Sequence, residues 1–234
     1  MLPEMRFLLF FLIFSAAMAQ KPNHDLFTPV LQEVVGEAGM VDYEKLVSNR
    51  EPLRNYLNEL ITHPPKEDWK KEEVLAYWIN TYNAFTLKLI ADNYPVKSIR
   101  DIKSPWEQKI IPYKGQNISL NHVEHQILRT MNEPRIHFAI NCASISCPVL
   151  ADEAYLAENL NEQLDNATRN FLNDTSRNLI SKNSLQLSKI FKWFKKDFTA
   201  KGDLTDFLNT YTEIVLTPDT PIKYLEYNWD LNEQ

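Results

Sequence analysis

Residues 72–92 read EEVLAYWINTYNAFTLKLIAD, and their pattern decides the fold class. Val74, Trp78, Tyr82, Phe85 and Leu89 recur at steps of three or four, which predicts one buried face of a long helix. Glu72 and Glu73 open it at the positive end of the helix dipole. Asn93 and Pro95 stop it. Asn80 and Asn83 sit on neighbouring positions of one face. Asn is a mediocre helix former, so two within a buried helix predict hydrogen bonds to something outside it.

Upstream, Asp25–Val35, Asp42–Ser48 and Glu51–Ile61 carry apolar residues at helical spacing, with Pro52 tolerated in a first turn. Pro64 and Pro65 close that segment. Downstream, residues 109–120 predict a hairpin turning at Lys114-Gly115-Gln116. A helix is expected over Asn121–Met131 with Asn121 as its N-cap, then a strand over Arg135–Asn141. An amphipathic helix over Glu153–Asn173, a second hairpin over 178–189, short helices at 191–198 and 203–211 and a last strand over 222–229 complete the chain. Phe191, Phe194 and Phe198 form one stripe, read as core, with the adjoining lysines as a solvated face. This order predicts an α+β domain, its helix-rich N-terminal half packed on a small, mainly antiparallel sheet.

Composition narrows the function. The net charge is −6 with no basic block, which excludes a clustered phosphate-binding footprint and hence a nucleic-acid partner. Only four Gly occur, too few for a Gly-rich nucleotide loop. Hydrophobic residues at 44% argue against disorder. Arg6, the apolar run Phe7–Phe14 and the small residues ending at Ala17-Met18-Ala19 read as a signal peptide cut after Ala19. Phe7–Ala19 falls short of the roughly 20 apolar residues a bilayer span needs. The expectation is therefore residues 20–234 as one exported domain, periplasmic or extracellular, without a stable membrane anchor after cleavage.

Candidate chemistry concentrates in residues 121–148, which hold His122, His125, His137, Cys142 and Cys147. Strand alternation would send Ile136, Phe138 and Ile140 to the core, and His137, Ala139 and Asn141 to the other face. A turn right after Asn141 would bring Cys142 near His137, and a thiol at a helix start beside an imidazole becomes reactive. Cys142 is then the candidate nucleophile, His125 or His137 the base, and Glu124 or an Asn the orienting group. Asn80 and Asn83 are candidate oxyanion donors. Against this stands a plain disulfide between Cys142 and Cys147, five residues apart in an exported chain, with His137 structural. Glu124 and His125 diverge by about 100° on a helix, so each addresses a different partner. His122 and His125 share a face but lack a third ligand, so no metal and no cofactor is expected.

The segments AYWINTYNA (76–84), VEH (123–125), RIHFAINCASISCP (135–148), LSKIFKWF (187–194) and YNW (227–229) resemble, in order, the domain of unknown function 547 family over about residues 40–230. The resemblance implies an often-exported bacterial domain with no assigned activity. At the level of fold it implies a relation to papain-like and transglutaminase-like thiol enzymes, in which Cys precedes His; here His125 and His137 precede Cys142. It marks Asn80, Asn83, Glu124, His125, His137, Asn141, Cys142, Ser144 and Cys147, of which Ser144 enters through the resemblance alone. Two functions follow. One is a thiol-dependent hydrolase or acyltransferase acting on a small-molecule, peptide or cell-envelope substrate. The other is a non-catalytic exported binding domain stapled by Cys142–Cys147.

Overall fold

The computed structural model describes residues 21–234; the expected signal segment and its cleavage site lie outside them. Among the described residues no helix is long and apolar enough to cross a membrane. A 3-10 turn at His24–Leu26 leads into α1 (Thr28–Val34), α2 (Tyr43–Ser48), α3 (Glu51–Thr62) and α4 (Lys71–Asn93). α2 and α3 pack on α4, and α1 packs on α2. Asp42 caps α2 by accepting from the Lys45 N–H at 2.8 Å. Pro52 sits in the first turn of α3, where its missing N–H costs nothing.

Every residue of α4 from Leu75 to Leu87 is buried, and so are Leu89, Ile90 and Ala91, whereas Val74 is only partly so. The one-faced helix expected from periodicity is thus too narrow a description: α4 is enclosed all round, the mark of a core helix. Its polar members are satisfied internally or by neighbours. Thr81 and Thr86 donate to the carbonyls of Tyr77 and Tyr82, and the Tyr77 hydroxyl donates to Leu60 O at 2.9 Å. Full burial of a side chain such as Phe85 or Ile79 contributes about 1.5–3 kcal/mol each.

The hairpin β1 (Ile111–Tyr113) and β2 (Gln116–Ile118) turns at Lys114 and Gly115, both with positive φ, as a two-residue hairpin turn requires. The next helix starts at Ser119, not Asn121. Ser119 Oγ accepts from the His122 N–H at 3.1 Å, and α5 (Leu120–His122) passes into a π turn over Val123–Leu128 and a 3-10 turn over Arg129–Met131. The expected strand over Arg135–Asn141 is a 3-10 helix, Pro134–Phe138. Glu133 caps it by accepting from the Arg135 N–H, and Pro134 presets the first helical φ. Strand alternation therefore fails: Ile136 joins the core around α4, and Phe138 joins a second core.

That second core lies under α6 (Leu160–Asn173), β3 (Leu179–Ser181), β4 (Ser184–Leu187), α7 (Ile190–Trp193), α8 (Lys195–Phe198) and α9 (Leu204–Asn209). Phe138 stands 5.0 Å from Phe171 and 5.5 Å from Phe198, ring centre to ring centre. The expected helix over Glu153–Asn173 begins only at Leu160. Upstream, Gln163 accepts from the Leu156 N–H and donates to Ala154 O, both at 2.9 Å, which satisfies that backbone outside a helix. β3 and β4 form an antiparallel hairpin, and β5 (Ile222–Tyr224) adds to β4 in parallel, stopping short of the expected 222–229. The fold is mixed α+β, with two small sheets among the described residues. The chain then returns to its first helices: Val41 N–H donates to Asn232 O at 2.8 Å, and the Tyr43 hydroxyl to Asn232 Oδ1 at 2.8 Å.

Candidate functional site

Cys142 and Cys147 are joined in a disulfide. Asparagines fix the loop between them. Asn83 Nδ2 donates to Ala139 O and its Oδ1 accepts from Asn141 N–H, both at 2.9 Å. Asn141 in turn accepts from Ala143 N–H at 2.7 Å and donates to Pro148 O at 2.8 Å. Ala143 has φ of 55°, the left-handed region a residue with a Cβ seldom enters, and Asn141 holds it there. Asn80 clasps both backbone groups of Tyr155, at 2.8 and 2.9 Å. Asn80, Asn83 and Asn141 thus commit their amides to backbone, and neither Asn80 nor Asn83 lines the adjoining cavity as an oxyanion donor would. Arg177 closes the loop from outside, donating to Cys147 O and Ile145 O at 2.8 Å each.

The disulfide floors a cavity of about 240 Å³. Trp106, Trp193, Phe194, Tyr227 and Trp229 wall it. Three of these rings pack together, Tyr227 4.5 Å from Trp229 and 4.8 Å from Trp193, centre to centre. Trp193 is 46% exposed, so its ring is open to solvent. Glu124, His125 and His137 line the same cavity, with Tyr82, Glu107 and Asn121. The π turn carries Glu124 and His125 into one pocket although they are adjacent in sequence, a use of π geometry common at functional sites. A larger cavity of about 460 Å³ lies behind α8, lined by Arg135, Lys196 and Asp203. Arg135 there is committed to Glu133 and Asp165, and Cys142 lies elsewhere, so we place the site in the smaller cavity.

A polar chain backs the aromatic wall. His137 Nε2–H donates to Asp197 Oδ2 at 2.8 Å, and its ring stacks on Phe194 at 3.9 Å. Arg129 donates to both Asp197 oxygens at 2.6 and 2.9 Å, and to His125 Nδ1 at 3.0 Å. Burial holds His137 below the usual imidazole range despite Asp197, so it is neutral and Arg129 is the charge partner of the carboxylate. Burial pushes Asp197 up, but the hydrogen bonds and charges of His137 and Arg129 outweigh it, and the carboxyl lies well below the ordinary range. Burial, then the Arg129 charge, lowers His125 as well. Because His125 Nδ1 accepts from Arg129, its proton sits on Nε2; because His137 Nε2 donates, its lone pair sits on Nδ1.

Glu124 is pushed up to about 7 by burial, with Asp197 adding to this and Arg129 and the Tyr82 hydroxyl opposing it. The folded protein therefore binds more protons than the unfolded chain between about pH 4.5 and 7, and stability falls as pH rises through that window. Glu124→Gln removes the loss. Discounting for partial solvent screening, the variant is expected to be more stable than the parent by about 1–2 kcal/mol near pH 8, and no more stable near pH 4. Thermal melts at the two pH values check this; equal shifts at both would show an ordinary carboxyl.

Of the sequence-marked residues, Glu124, His125, His137, Cys142 and Cys147 meet in the cavity. Ser144 lies behind the disulfide, 3.3 Å from Cys142 Sγ and 3.2 Å from the Tyr227 hydroxyl. Among the described residues no imidazole nitrogen hydrogen-bonds Cys142 Sγ, whose neighbours are Ser144 and Tyr227. Nor do three His, Cys, Asp or Glu side chains among them gather as a metal-binding set. Sequence reasoning missed Asp197, set within a run of lysines, and the aromatic wall; LSKIFKWF at 187–194 and YNW at 227–229 were the available signals for the latter. Phe194, read as core, is a half-buried wall residue.

A mixed α+β fold carrying an aromatic pocket on a disulfide floor is the class of molecule defined to this point. The family described as "Protein of unknown function, DUF547" matches residues 66–172 of the chain. The matched stretch runs from before α4 into α6 and includes the disulfide loop; LSKIFKWF and YNW fall beyond it. Neither the curated proteins nor the solved structures contain a match to the chain.

Proposed function

We propose that this is an exported, non-catalytic binding domain that takes a small organic ligand into the aromatic pocket. The observation that carries the proposal is the state of Cys142. Its sulfur is bonded to Cys147 at the floor of the cavity, and a sulfur so bonded is not the thiolate that nucleophilic catalysis needs. A disulfide also persists outside the reducing cytosol, which supports export. The lining fits binding, being mostly aromatic and apolar together, with a few convergent polar groups.

A second function is favoured by one observation: Cys142, Glu124, His125 and His137 share one cavity. With the disulfide reduced, Cys142 would be a thiol in the pocket of His137, whose Nδ1 is the available base because Asp197 holds the Nε2–H. That form would be a thiol-dependent hydrolase or acyltransferase. Alkylation of the exported protein followed by mass spectrometry separates the two. Without reductant, both Cys are expected to stay unlabelled; after reduction, His137→Ala should leave the Cys142 labelling rate unchanged. Rapid labelling of Cys142 without reductant, slowed by His137→Ala, would transfer the assignment to the thiol enzyme.

A further inference from the structure

The charges lining the aromatic pocket are one-sided. Glu107 and Glu124 line it, and among the described residues no Lys or Arg does. His125 and His137 are held neutral by burial. Glu107 is exposed to solvent, whereas Glu124 is half-buried and differs from the other half-buried carboxylates of this region in lacking a cation. Asp197 is paired with Arg129, Glu133 with Arg135, and Asp174 with Arg177. Glu124 has only a long hydrogen bond from the Tyr82 hydroxyl, at 3.4 Å, and no ion pair among the described residues. Arg129 is its nearest charge partner by field, but that guanidinium is committed to Asp197 and His125. Once ionised, above about pH 7, a carboxylate so placed costs free energy until a cation joins it.

The walls present what such a cation needs. Aromatic faces carry negative potential and attract cations within about 6 Å. Two of these rings already do so on the protein's own account: the Arg100 guanidinium lies 5.5 Å from the centre of Trp229, and that of Arg129 lies 5.2 Å from Phe194. An anion entering the cavity would meet two carboxylates and ring faces. A neutral flat molecule would gain ring contact and leave Glu124 unpaired.

We propose that the pocket binds a small organic cation, an alkylated or quaternary ammonium, whose charge pairs with Glu124 and whose alkyl groups lie against Trp193, Tyr227 and Trp229. This rests on the binding-domain proposal and narrows its ligand. The test uses the full protein with its disulfide intact and two probes of nearly equal shape, choline and its uncharged isostere neohexanol. Choline is expected to quench tryptophan emission saturably and to bind at least about tenfold more tightly than neohexanol. Glu124→Gln should bring the two within about threefold by weakening choline. Trp193→Ala, at an exposed position that folding tolerates, should weaken choline several-fold and serves if the Glu124 variant misfolds. Neohexanol binding as tightly as choline overturns the charge assignment and leaves an apolar binding pocket standing. Binding of neither overturns the cation proposal outright, while the thiol labelling separately decides whether the domain is a binder.

Discussion

Asn83→Ala is expected to cost about 4 kcal/mol of stability and to lower the melting temperature by about 8–16 °C. Asn83 is buried and makes two hydrogen bonds to backbone, accepting from Asn141 N–H and donating to Ala139 O. Removing the amide leaves both backbone groups without a partner in the core, at about 1–3 kcal/mol each, and opens a small void. The clamp also sets where the chain turns into Cys142, so the loss should reach the pocket. Denaturant titration checks the magnitude against Asn58→Ala, an exposed position on α3 expected to change stability by less than about 0.5 kcal/mol. A similarly small change at Asn83 would mean that water replaces the clamp without penalty.

Asp197→Ala is expected to cost about 3 kcal/mol, or about 6–12 °C. The carboxylate joins Arg129 and His137, and its loss strands a partly buried guanidinium and the Nε2–H of a buried imidazole. The partial exposure of Asp197 and Arg129 places the cost at the lower end of the range for a broken buried pair. The sign with pH is fixed by the direction of its shift. Asp197 lies below its ordinary range when folded, so its contribution is present above the unfolded value of about 4 and is lost as pH falls through the folded value. Parent and variant should therefore differ as much near pH 5 as near pH 7, and converge only in strong acid. Chemical unfolding at these pH values measures the difference; convergence already near pH 5 would show that the carboxylate is not held down.

The helical half was largely legible because its signals are local. Asp42 caps where a cap was needed, Pro52 falls in a first turn, and the run of apolar residues in α4 is long enough to exclude a strand. Residues 135–141 were misread because I-H-F-A-I satisfies strand alternation while Glu133 and Pro134, outside the run, determine a helical start. The candidate site divides in the same way. Glu124, His125, His137 and the cysteines stand within one short stretch and could be found together. Trp106, Trp193 and Trp229 come from three distant segments, and only tertiary packing brings their rings to one wall. Asp197 was hidden by the lysines around it: the eye takes a charge run as solvated, although a single acid of opposite sign can turn inward toward Arg129 and His137.

The contacts that tie Val41 and Tyr43 to Asn232 and Gln234 bear on the order of assembly. Tyr43 and Asn232 are 189 residues apart, and Gln234 N–H closes on Val41 O at 3.1 Å. Contacts between such distant positions demand the loop-closure entropy of nearly the whole chain before they return any stabilisation. Val41 bridges the nearby Val35, but its own N–H and C=O are paired only when residues 232–234 arrive, so the far segment completes this edge of the helical layer. Closure of residues 232–234 on Val41 and Tyr43 should therefore be a late step of folding, after the local helix contacts have formed.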